Sequence, residues 1–174
     1  MSSSTPKALP AVVLTISDSC ARQEREDLSG PAVARFLRER GFAIAGSATL
    51  PDESEQIQQA LIEWTELDGA KQARLIVTTG GTGIAPRDVT PEATRSVCDR
   101  ILEGVAEKMR AEGSRKTPFA ILSRGVCGVR GTSLILNLPG SPQGALDSLA
   151  AVVDLLPHAL QLLAGDTEHP LGPS

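Results

Sequence analysis

Apolar residues along this chain fall into short β-branched runs separated by longer stretches with helical spacing. Residues 11–16 (Val12, Val13, Leu14 and Ile16 among them) and 75–77 are continuous apolar runs of strand length. Such runs mark strands covered on both faces of a parallel sheet. Residues 43–50 read as a second strand, 118–123 (Phe119, Ala120, Ile121, Leu122) as a further one, and 133–138 as the last. Between them the period changes. Gly30-Pro31 opens a helix to about residue 40, with Val33, Phe36 and Leu37 on one face and Gly41 as its stop. Ile57, Ala60, Leu61 and Trp64 recur at helical spacing after Asp52. Thr90-Pro91 announces another helix, with threonine as N-cap, proline in the first turn and Glu92 near the positive end of the dipole. Residues 101–112 follow as a further helical segment. From Pro142, Leu146, Leu149, Val153, Leu156, Leu160 and Leu163 mark a core-packing helix kinked at Pro157 or, alternatively, an oligomer seam.

Strands alternating with helices over the whole length predict an α/β fold, a three-layer α/β/α sandwich around a mostly parallel sheet. We expect one domain over residues 11–165, a disordered lead-in at 1–10 and a flexible tail at 166–174. Four polar strand exits, after Ile16, Leu50, Val77 and Leu138, then gather at one rim.

Composition narrows the chemistry. The formal charge is −4 and aromatics are 2% of residues, which speaks against nucleic acid or an anionic membrane as partner. No apolar run is expected to reach membrane-spanning length, and with no signal core at the N-terminus the expected location is the cytoplasm. Cys20, Cys98 and Cys127 are far apart, with no C-x-x-C, so a zinc site or disulfide framework is not expected. The two histidines, His158 and His169, stand near the end of the chain, and tyrosine is absent. Catalysis by a Ser-His-Asp or Cys-His set lacks parts unless His158 reaches across the fold. Carboxylates, arginines, hydroxyls and backbone N–H groups remain.

The stretch with most chemistry is Thr78-Thr79-Gly80-Gly81-Thr82-Gly83, immediately after the apolar run at 75–77. Glycines there let a ligand approach the backbone so that several N–H groups converge on one anion. The loop is neither a Walker A sequence nor the G-x-G-x-x-G fingerprint, and by itself also fits a tight structural turn. Arg87-Asp88 beside it tips the reading toward a metal-bound phosphate. Ser17-Asp18-Ser19, Pro51-Asp52-Glu53 and Pro139-Gly140-Ser141-Pro142 leave the other strands with hydroxyls, carboxylates and a second helix start. Asp52 fits equally a helix start and a catalytic role.

Ile16-Ser17-Asp18-Ser19, Pro51-Asp52-Glu53, Thr78 to Gly83, Arg87-Asp88-Val89-Thr90-Pro91-Glu92-Ala93-Thr94, Leu122-Ser123-Arg124 and Asn137-Leu138-Pro139-Gly140-Ser141 appear in order and at the spacing of one family. In these the chain resembles the Mog/MoaB family of molybdenum-cofactor biosynthesis, and is similar to the gephyrin G domain. The resemblance implies a molybdopterin adenylyltransferase, which moves AMP from MgATP to the molybdopterin phosphate and releases pyrophosphate. It implies a homotrimer, with the downstream metal-insertion enzyme as a partner. It places the two functionally important aspartates at Asp52 and Asp88, which would also hold Mg²⁺. The phosphate loop falls on Thr79, Gly80, Gly81, Thr82 and Gly83. Ser17, Asp18, Arg87, Ser123, Arg124, Pro139, Gly140 and Ser141 would then line the pterin and nucleotide pocket. The alternative is a molybdopterin-binding or delivery protein of the same fold without catalysis.

Overall fold

The computed structural model describes residues 8–165. The lead-in up to residue 7, the tail from 166 and His169 lie outside the described residues. In chain order the elements are β1 (Leu9–Ile16), α1 (Asp18–Ala21), α2 (Ser29–Glu39), β2 (Phe42–Leu50), α3 (Ser54–Glu66) and β3 (Leu75–Thr79). There follow α4 (Thr90–Val97), β4 (Arg100–Ile101), α5 (Glu103–Ser114), β5 (Cys127–Arg130), β6 (Ser133–Leu138), α6 (Pro142–Val152) and α7 (Leu156–Leu163). The sheet runs β2-β1-β3-β6-β5-β4. Its first four strands are mutually parallel, and β5 is antiparallel to both of its neighbours.

Alternation along each strand sends side chains to two cores. Val12, Leu14 and Ile16 of β1, Ile76 of β3 and Ile135 of β6 pack with Ile57 and Leu61 of α3 and Ala93 and Val97 of α4. Val13, Leu75, Val77, Leu134 and Leu136 point the other way, onto Val33 and Leu37 of α2, Met109 of α5, Leu149 of α6 and Leu156 and Leu160 of α7. Each large aliphatic side chain so covered contributes roughly 1.5–3 kcal/mol relative to exposure. Helices on both faces of a mixed sheet bear out the expected three-layer architecture.

Several elements depart from the sequence reading. β1 starts at Leu9, inside the expected lead-in, because Leu9 and Pro10 pair with Phe42 and Ala43 of β2. The expected helix at 101–112 begins only at Glu103, since Arg100 and Ile101 are taken by pairing with β5. The expected strand at 118–123 is a 3₁₀ helix, Pro118–Leu122, with Phe119 and Ile121 exposed. The hairpin β5–β6 occupies the place beside β6, so this run finds no partner strand. The helix pattern from Pro142 breaks at Val153–Leu155, one turn before Pro157 rather than at it. Proline lacks an N–H and clashes with the carbonyl four residues earlier, here that of Val153. By length and composition Pro142–Leu163 is apolar enough to cross a membrane, which corrects the expectation that no run was. In the fold its Leu149, Val152, Leu156 and Leu160 are buried in the core.

One buried polar group ties three elements together near the strand ends. Asn137, 1% exposed on β6, donates to the hydroxyls of Thr78 (3.0 Å) and Thr94 (2.9 Å) and accepts from the Val126 N–H (3.2 Å). Removing one partner from a buried set leaves the others unsatisfied. Asn137→Ala is therefore expected to lower unfolding free energy by about 2 kcal/mol or more, read from the urea denaturation midpoint.

Candidate functional site

The parallel strands end level with one another: Thr15 of β1 is paired with Thr79 of β3, and Thr79 with Leu138 of β6. The ladder runs one step further, with the Ser17 N–H on the Leu50 carbonyl (2.8 Å) and the Gly80 N–H on the Leu138 carbonyl (3.0 Å). Every strand exit named from the sequence thus reaches the same edge. Gly80 then turns with φ +97°, where an added Cβ would stand 2.2 Å from the Ile16 carbonyl oxygen. Gly81, at φ +64°, passes close to the Thr90 hydroxyl and to Asp52 Oδ1. Thr90 does not cap α4 as expected, because Val89 occupies that position. Its hydroxyl donates to the Gly80 carbonyl (3.0 Å) and its N–H to that of Gly81 (3.1 Å), fastening the glycine loop to the start of α4.

Asp52 does not cap α3 either. Its Oδ2 accepts from the Asp18 N–H at 2.9 Å, while the Asp52 N–H donates to Asp18 Oδ1 at 3.0 Å. Burial raises the Asp52 pKa, the Asp18 amide opposes this, and the Asp18 and Asp88 carboxylates add to the rise. Asp18 is held low, chiefly by Arg87, whose Nε and Nη2 grip its two oxygens at 3.0 and 2.9 Å. Asp88 accepts from the Ala85 N–H through Oδ2 at 2.9 Å. Its backbone carbonyl and that of Gly83 each accept from Arg124 at 2.7 Å, and Arg124 also pairs with Glu92. Arg124 therefore braces both ends of the loop between Gly83 and Asp88.

Two cavities open at this edge and share a wall made of Gly81, Asp88, Gly140 and Ser141. The more polar one, about 530 Å³, adds Ser17, Cys20, Asp27, Asp52, Thr79 and Gly80. The more apolar one, about 520 Å³, adds Thr82, Gly83, Ser123 and Pro139, and is walled by Ala106, Met109 and Phe119. Of the expected site residues, Asp18, Arg87 and Arg124 line neither cavity; both Asp18 oxygens, Nε and Nη2 of Arg87 and all three Arg124 guanidinium nitrogens are hydrogen-bonded to the protein itself. Asp27, not among the residues singled out from the sequence, accepts from Thr15 Oγ1 (2.6 Å) and the Gly30 N–H (2.9 Å), holding the cavity's outer loop to β1. Its position three residues before Gly30-Pro31 was the available signal. The Asn137 network and the α5 wall left no local signal. Burial pushes the Cys98 and Cys127 thiols up to about 11 and about 12, so neither is a thiolate at neutral pH.

No group of three or more His, Cys, Asp or Glu side chains suited to a metal occurs among the described residues. The carboxylate pair Asp52 and Asp88 remains, and one oxygen of each takes no hydrogen bond from the described residues. Such a pair fits an ion that draws its other ligands from substrate.

Residues 12–158 match the family described as a probable molybdopterin binding domain. The chain is 40% identical over 156 residues to the molybdopterin adenylyltransferase of Helicobacter pylori strain J99, covering 88% of this chain and 87% of that protein. It is 43% identical over 157 residues to the molybdenum cofactor synthesis protein cinnamon of Drosophila melanogaster, of which it spans only 25%. Among solved structures, the molybdopterin biosynthesis enzyme MoaB of Thermus thermophilus superposes with a TM-score of 0.84 at 50% identity, over 90% of this chain and 97% of the other.

Two stability measurements check this geometry. Gly80→Ala, which meets backbone at a positive φ, is expected to cost about 3 kcal/mol; Gly104→Ala on α5, with open space around it, is expected to cost nothing. A carboxyl whose folded pKa is raised stabilises the fold below its unfolded value and loses that contribution as pH climbs through the folded one. Asp52→Asn is accordingly expected to raise the melting temperature at pH 7, with the gain shrinking as the pH falls into the ordinary carboxylate range.

Proposed function

The chain belongs to the probable molybdopterin-binding domain family of molybdenum-cofactor biosynthesis, and on that premise we propose that it is a molybdopterin adenylyltransferase. The observation that carries this reading is the shared wall, where two cavities of similar size meet at Gly81 and Asp88. A transferase joining two substrates needs one compartment for each and the reacting phosphorus at their junction. The reaction is displacement at the α-phosphorus of ATP. An oxygen of the molybdopterin phosphate forms the new P–O bond, the bond to the β-phosphate bridge breaks, and pyrophosphate leaves. No covalent nucleophile from the protein is needed, which agrees with the residues available.

Catalysis then rests on placement and charge. Backbone N–H groups of the glycine loop, held open by Thr90, face the transferring phosphate. Asp52 and Asp88 flank it from two loops, and their free oxygens would hold Mg²⁺ together with substrate oxygens. Bound there, the ion neutralises charge on the transferring and leaving phosphates. Arg124 holds the Asp88 loop against the glycine loop rather than meeting substrate. On the family resemblance we further propose a homotrimer in the cytoplasm whose product passes to a metal-insertion enzyme.

Mixing the protein with molybdopterin and MgATP and following pyrophosphate tests the reading directly. Release of pyrophosphate that requires both substrates is expected. Tight molybdopterin binding without release identifies a binding or delivery protein instead. Asp52→Ala and Asp88→Ala are each expected to lower turnover by at least about a hundredfold with molybdopterin affinity nearly unchanged; parallel loss of both properties would assign these residues to folding.

A further inference from the structure

We propose that Arg87 and Asp18 are positioning residues that aim Asp52 and set its spacing from Asp88, and that neither contacts substrate. The inference rests on the transferase reading and assigns to these two residues a part distinct from ligand binding.

The β1–β2 ladder runs out just before the two aspartates. Ile16 is in register with Leu50, and the Ser17 N–H on the Leu50 carbonyl is the last backbone bond. Beyond it the chains diverge, and side chains continue the pairing: each aspartate offers its N–H to the other's carboxylate, at 2.9 and 3.0 Å. The Asp18 amide thereby fixes Oδ2 of Asp52 and leaves Oδ1 directed at Gly81, where an added Cβ would lie 3.0 Å from it. Two carboxylates this close repel one another unless a cation intervenes. Arg87 supplies it through a two-point grip on Asp18, and its Nη2 also reaches Glu53 Oε1 at 3.0 Å.

Both oxygens of Asp18 thus already accept hydrogen bonds from the protein, Oδ1 from Arg87 and the Asp52 amide and Oδ2 from Arg87, which leaves three of its roughly four acceptor positions filled. Arg87 directs three hydrogen bonds at protein carboxylates, and neither residue lines a cavity. Arg87 immediately precedes Asp88 in the chain. One guanidinium consequently fastens the loop bearing one acid to the turn bearing the other. A lysine cannot reproduce this, because an ammonium lacks the planar fork that spans both carboxylate oxygens.

The test compares Arg87→Met, Arg87→Lys, Asp18→Asn and the Arg87→Met/Asp18→Asn double variant, measuring kcat and the KM for ATP and for molybdopterin in the pyrophosphate assay. A misplaced group of this kind costs about 10- to 100-fold in kcat. That loss is expected for Arg87→Met and Asp18→Asn with both KM values within about twofold of wild type. Arg87→Lys is expected to fall between wild type and Arg87→Met, and the double variant to be no slower than the slower single one. A raised KM for either substrate with kcat retained would assign Arg87 to substrate binding and overturn the proposal, as would losses that multiply in the double variant. Amide hydrogen exchange at Asp18 and Asp52 gives a reading independent of turnover. Faster exchange there in Arg87→Met, with core-strand amides unchanged, supports the positioning role; unchanged exchange refutes it. A wild-type protein that releases no pyrophosphate would remove the transferase reading, while the exchange result would still decide the geometric one.

Discussion

Hydrogen bonding between adjacent parallel strands continues to the last residue of each, and the rest of the site depends on that. Thr15, Thr79 and Leu138 stand abreast, so the loops leaving β1, β3 and β6 start from one line. The next bonds, Ser17 to Leu50 and Gly80 to Leu138, carry the ladder into the loops themselves. A backbone held on both sides at this point has little freedom left. The glycine loop departs by a turn that brings it against the Ile16 carbonyl, an approach that excludes a side chain at Gly80. A slip of one residue in any of these pairings would send each core side chain to the opposite face. The two cores therefore protect the alignment of the rim.

Charge at the edge is organised by the same economy of placement. The two arginines at the glycine loop, Arg87 near it in sequence and Arg124 brought there by the fold, are engaged with protein groups, Arg87 with Asp18 and Glu53, Arg124 with two backbone carbonyls and Glu92. Asp52 is half-withdrawn from water among other acids and pushed toward its neutral form. A positive charge or a hydrogen-bond donor placed beside Asp52 would offset both its burial and the neighbouring acids.

Much of this is legible in the sequence. Strands covered on both faces announce themselves as unbroken aliphatic runs, and β1, β3 and β6 were read at or within two residues of their bounds. Glycines after β3 and aspartates after β1 and β2 mark the candidate edge in the sequence, and Asp52 and Asp88 line one cavity there. What failed depended on neighbours that are distant in sequence. Residues 118–122 have strand-like composition but no vacant place in the sheet. Ile101 looked helical until its pairing with Gly128 was visible. Arg87 close to the glycine loop suggests ligand binding, and only the positions of Asp18 and Glu53 show that protein acids engage it.

The order of strands has a bearing on how the chain acquires its shape during synthesis. β6 lies in the middle of the sheet but comes late in the sequence, inserted between β3 and β5. Until it emerges, β3 presents a bare edge of unpaired amides and carbonyls, the kind of template on which other chains add. Thr78 and Thr94 likewise wait for Asn137. A nascent chain stopped short of Leu138 thus has neither a closed sheet nor an assembled edge, and early release from the ribosome would yield material prone to associate rather than a smaller working domain.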